Sequence, residues 1–176
     1  MNRKVLSARN RMRRFVAPNG FTLMELLIVM AIIAILSLLA IASIGVYTKK
    51  ANGLSAVNSL QKIVQAQLLY AESYPATGYA CALDALGGDP HSGPPTASAA
   101  QLLPADLSSG FKQGYEFILA CGDKVTSNNV DRYNSFTVIA RPQTVGRTGD
   151  RSYCIDETGQ IKFDPAGGNN CTQLLQ

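Results

Sequence analysis

The sequence is poor in the residues on which most enzymes depend. His91 is the only histidine, and it sits in a loop rich in proline and glycine, so a histidine-based catalytic triad is excluded. No glycine-rich phosphate loop, no dinucleotide fingerprint and no nucleophile with a neighbouring base can be found. We therefore expect no enzymatic activity. The four cysteines form no close CxxC pair, which argues against a structural zinc site. There is no internal repeat. No acidic residue precedes Glu25, and no charge of either sign falls between Leu26 and Thr48.

What is present follows from that distribution. The 176 residues allow one core with an appended segment, not two full domains. The formal charge of +4 comes from sixteen Lys and Arg against twelve Asp and Glu. Six of the cations, Arg3, Lys4, Arg9, Arg11, Arg13 and Arg14, precede Gly20, which leaves ten against twelve and a net of −2 beyond it. Lys112, Lys124, Arg132, Arg141, Arg147 and Arg151 are dispersed among acids, so nucleic-acid binding is not expected.

The uncharged run Leu26–Thr48 is 23 residues long. A helix needs roughly 20 apolar residues to cross a bilayer core, and a signal peptide has an apolar region of only about 7–15. The run is therefore expected to span and to stay, with the basic leader cytoplasmic and everything after Lys49 exported. Beyond it, Leu54, Val57, Leu60, Val64, Leu68 and Ala71 recur at steps of three and four, which predicts one amphipathic stripe, with Gln61, Lys62, Gln65 and Gln67 mostly elsewhere. One helix is predicted from about Thr22 to Ser73, ended by Pro75. Gly87–Ala100 has loop composition. Strands are predicted at Tyr115–Ala120, Ser135–Ala140, Ser152–Asp156 and Gln160–Phe163, the last two joined as a hairpin through Glu157-Thr158-Gly159. Tyr153, Ile155, Ile161 and Phe163 read as sheet packing.

Cys81, Cys121, Cys154 and Cys171 all lie in the exported part, where an even count favours disulfides. Three connectivities are open. We favour Cys81–Cys121 and Cys154–Cys171, because the second pair brackets a short C-terminal loop. Asp150, Asp156, Glu157 and Asp164 crowd one region, and Asp123, Asn128, Asn129 and Asp131 another. Such oxygens suit calcium, but no EF-hand spacing is present, so they read as solvated turn residues. No cofactor is expected, with calcium as the alternative.

The most specific stretch is Gly20-Phe21-Thr22-Leu23-Met24-Glu25, set between the basic leader and the apolar run. A fixed pattern of Gly-Phe-Thr-Leu-x-Glu arises by chance at roughly one position in a million at ordinary residue frequencies. From Arg3 to about Val46 the chain resembles the type IV prepilin and type II secretion pseudopilin family, and Tyr47-Thr48-Lys49-Lys50-Ala51 continues in its style.

The resemblance implies a pilin-like α+β fold. A long N-terminal helix, membrane-spanning in its first half and amphipathic in its second, would pack on a small antiparallel sheet. The expected divisions are a leader over 1–20, a filament-core segment over 21–47, the amphipathic half over 48–74 and an exported domain over 75–176. The resemblance also implies cleavage between Gly20 and Phe21 by a prepilin peptidase and N-methylation of Phe21. Glu25 would then pair with the amino-terminal cation of a neighbouring subunit.

Partners would be copies of the chain and other pilins, an inner-membrane assembly platform and a separate motor ATPase. The chain would reside in the inner membrane before assembly and in a periplasmic or extracellular pilus after it. The family often carries a helix-breaking proline in the apolar segment. Here Ser43 and Gly45 are its nearest substitutes. A secretion pseudopilin or minor pilin is the related alternative, and a monomeric membrane-anchored binding domain the alternative from another class.

Overall fold

The computed structural model describes residues 20–127 and 130–175, and gives the backbone alone for 39–43, 127 and 130. The expected leader before Gly20, together with Asn128 and Asn129, lies outside the described residues. The chain divides into two compact units, Met1–Ile41 and Ala42–Gln176.

Helix α1 runs from Leu23 to Ser73, one residue short of the predicted start. Pro75 stops it because a proline pushes the residue before it, Tyr74, out of the helical region. In the first unit every described residue from Gly20 to Leu38 is exposed. Among the described residues no helix is long and apolar enough to cross a membrane. The described side chains of the uncharged run stop at Leu38 and resume at Ile44.

In the second unit α1 lies on an antiparallel sheet of six strands in the order β1-β2-β5-β6-β7-β8. These are β1 (Phe111–Lys112), β2 (Tyr115–Cys121), β5 (Phe136–Pro142), β6 (Ser152–Asp156), β7 (Ile161–Asp164) and β8 (Gln173–Leu174). β1 and β2 are joined by Gln113 and Gly114, whose φ values of 44° and 75° make the two-residue turn that matches strand twist. A separate ribbon, β3 (Lys124–Ser127) and β4 (Val130–Tyr133), is inserted between β2 and β5. The sequence predicts three or four strands. It misses the ribbon and the two edge strands because two-residue strands and polar runs such as KVTS carry no periodic signal.

The strand register places Tyr115, Phe117, Phe136, Val138, Ala140 and Ile155 on one face, and all six are buried. Against them α1 presents Ala56, Leu60, Ile63, Ala66 and Tyr70. This corrects the predicted stripe. Leu54 and Leu68, expected inside, are 68% and 52% exposed, while Gly53, Ser59 and Gln67 are buried. The sheet face is aromatic, so close approach requires small residues on the helix, and the buried line rotates toward them.

Gln67 is the largest departure. Its amide donates to the Ala80 carbonyl at 2.7 Å and accepts from the Ala80 N–H at 2.8 Å, as a strand neighbour would. It thereby anchors the chain that leaves the helix.

Two short helices, α2 (Leu83–Leu86) and α3 (Ala105–Ser108), close one end of the core through Leu83, Leu86, Leu103 and Leu107. The predicted loop between them is exposed from Gly88 to Ser98. Both favoured disulfides are formed, Cys81–Cys121 and Cys154–Cys171. The first ties the segment before α2 to the end of β2. Cys154 pairs across β5 and β7 with Ile139 and Lys162, on the face of the sheet turned away from α1. The second disulfide therefore holds the C-terminal loop over the sheet's outer side.

Candidate processing and assembly site

The site is built at the start of α1. Gly20, Phe21 and Thr22 precede the first helical residue and are exposed, Phe21 by 81%. A peptide bond in extended, accessible backbone can enter a protease active site, whereas one inside a helix must first unwind. The Gly20–Phe21 bond is of the accessible kind. A Cβ added at Gly20 would meet no atom within 4 Å, so nothing in the described chain demands glycine there.

Thr22 caps the helix. Its hydroxyl oxygen accepts the Glu25 N–H at 3.1 Å, and its carbonyl accepts the Leu26 N–H at 3.2 Å. Thr22-x-x-Glu25 has the spacing of a reciprocal capping box, a signal in the sequence beyond the processing motif. Only the threonine half is made. Among the described residues the Glu25 carboxylate has no donor or cation within bonding distance. It sits in the first turn, where the helix dipole favours a negative charge by roughly 0.3–1 kcal/mol.

From Leu23 to Leu38 the helix exposes apolar side chains on all sides, among them Leu23, Met24, Leu36 and Leu38 at 60–82%. The hydroxyls of Ser37 and, further along, of Thr48 bond back into the helix. The Ser37 hydroxyl donates to the Ile33 carbonyl at 2.7 Å, and the Thr48 hydroxyl to the Ile44 carbonyl at 2.9 Å. Both satisfy themselves within the helix, as a segment surrounded by apolar groups requires. The Ser43 side chain lies outside the described residues. Gly45 is helical, and an added Cβ would meet nothing within 4 Å, so packing in the described chain gives no reason for glycine at that position.

Residues 18–45 match the family described as the prokaryotic N-terminal methylation motif. The chain carries that motif, the hallmark of type IV prepilins and pseudopilins. No curated protein and no solved structure matches the chain. The match ends at Gly45, four residues into the second unit, and covers none of the sheet.

In that unit the acids considered for calcium do not converge, and among the described residues no three metal-binding side chains gather. Asp156 stands at the turn end of the β6–β7 hairpin and Asp164 at the other end, opposite Ser152. Asp150 pairs with Lys49 at 2.9 Å. Asp156 accepts from the Thr158 hydroxyl and N–H, and these bonds hold its carboxyl below the usual carboxylate range. Glu157 accepts the Phe136 N–H, and buried Asp164 accepts the N–H groups of Ala166 and Asn170. In the other acidic loop Asp131 pairs with Lys124 and accepts from Thr126. His91 is exposed, and its N–H donates to Asp89.

Proposed function

We propose that the chain is the precursor of a structural subunit of a type IV pilus-like filament. It is held in the inner membrane, cut between Gly20 and Phe21 by a prepilin peptidase, methylated on the new amino terminus and extracted into a helical bundle. The observation that carries this reading is the conjunction of a methylation motif with an apolar helix exposed on every side. The stretch Leu23–Leu38, apolar except for Glu25 and Ser37, would drive aggregation in water, and a bundle of like helices or lipid removes it from water. The uncharged run Leu26–Thr48, at about 1.5 Å per residue, is about 35 Å long, enough for the roughly 30 Å of a bilayer core.

Glu25 supplies the register. A carboxylate entering an apolar bundle costs several kcal/mol unless paired, and the cation made by cleavage at Phe21 on an adjacent copy is the partner the motif creates. Pairing is available at one axial offset between neighbours, which sets the step of the filament. The sequence carries no nucleotide-binding motif, so in this reading a separate motor ATPase and a membrane assembly platform drive extraction. Glu25→Gln tests the role. The variant is expected to be cleaved normally yet to be missing from sheared filaments. Filaments of normal abundance built from that variant would overturn it.

A further inference from the structure

The first charges after the uncharged run, Lys49 and Lys50, open onto a groove of about 390 Å³ within the second unit, between α1 and the segment that leads into β6. Three cations face it, Lys49, Lys50 and Arg151, against one carboxylate, Asp150. Lys49 is taken by that carboxylate at 2.9 Å. Lys50 and Arg151 are exposed and, among the described residues, pair with no acid.

The groove is shaped from beneath. The Tyr115 hydroxyl donates to the Arg151 carbonyl at 2.9 Å and fixes that backbone, while the Arg151 guanidinium lies 5.0 Å over the Phe163 ring. Stacking holds the plane of the guanidinium and leaves its N–H edge free. At Gly53 a Cβ would come within 2.9 Å of the Tyr153 hydroxyl, so glycine keeps the floor open. Burial pushes the Tyr153 phenol up. The remaining wall is apolar, with Leu54 at 68% and Leu175 at 38% exposure.

A paired donor set beside an apolar wall fits a phosphate that carries a greasy tail. The position agrees. Lys and Arg normally mark the cytoplasmic side of a span, yet these two lysines follow it on the exported side, where they do nothing for orientation. Cations and tyrosines next to an apolar span are the residues of the headgroup layer. We propose that this groove holds the phosphate of an anionic phospholipid in the exported leaflet while the subunit waits in the membrane. The inference rests on the membrane-held reading above.

The test uses the full chain reconstituted into vesicles of phosphatidylethanolamine with phosphatidylglycerol, then extracted in mild detergent for native mass spectrometry of retained lipid. The wild type is expected to keep phosphatidylglycerol in preference to phosphatidylethanolamine. The Lys50→Gln/Arg151→Gln double variant should lose that preference about tenfold, and Arg151→Lys, which keeps the charge but not the stacked fork, should lose less. Lys50→Gln alone, at an exposed position, should show part of the loss if the double variant does not fold. Equal retention by wild type and Lys50→Gln would overturn the proposal. An alkaline wash separates the two levels. A chain washed off the vesicles contradicts the membrane-held reading itself, whereas a chain that stays embedded without lipid preference contradicts only the groove.

Discussion

Gly20 and Gln67 show two ways in which a single residue is fixed. Nothing in the described chain lies within 4 Å of a Cβ added at Gly20, so on the proposed function its constraint would come from the peptidase. Gly20→Ala should leave the second unit folded with both disulfides formed. Its cleavage should fall about tenfold or more, the discrimination one extra methyl meets in a tight pocket. Immunoblotting for precursor and trimmed chain measures it. At Gln67 the constraint is internal, because the amide is fully buried and serves both backbone groups of Ala80. Gln67→Leu keeps the volume and leaves a buried N–H and C=O unpaired. Denaturation of the full chain in detergent should show a loss of about 2–4 kcal/mol.

At the scale of elements the two disulfides differ in the loops they close. Cys81–Cys121 spans 40 residues and Cys154–Cys171 spans 17. On the chain-entropy argument the first restrains the unfolded state by about 4 kcal/mol and the second by about 3. Cys81→Ser/Cys121→Ser should therefore lower the denaturation midpoint more than Cys154→Ser/Cys171→Ser.

The elements also show what the sequence discloses. The bounds of α1 were legible because Thr22 and Pro75 act locally on the backbone, and β2, β5, β6 and β7 were legible through their aromatic and β-branched residues. The buried stripe of α1 was not. Apolar periodicity counts Leu54 and Leu68 as core candidates. It cannot weigh the volume of Tyr115, Phe117 and Tyr153 on the opposing sheet, which selects Gly53, Ala56 and Ala66 instead. Gln67 was likewise invisible, since its partner is a backbone group set only by the return of the chain after Pro75. The methylation motif was legible because Gly20, Phe21 and Glu25 stand close together in sequence, within the matched residues 18–45.

On the scale of the whole molecule the two units answer to different surroundings. The second unit buries its own core and staples it. The first presents apolar side chains from Leu23 to Leu38 that nothing in the described chain covers. A chain so divided is an assembly part in our account, stable in its exported domain and completed by other copies at its helix. On the function proposed above, cleavage would link the two conditions by creating a cation for Glu25.

The most direct measurement is the mass of the chain's amino-terminal peptide, recovered from cells that make the filament. A peptide beginning at Phe21 and carrying one added methyl group on its amino nitrogen is expected. A chain that still begins at Met1 or Asn2 in those cells would contradict the proposed function.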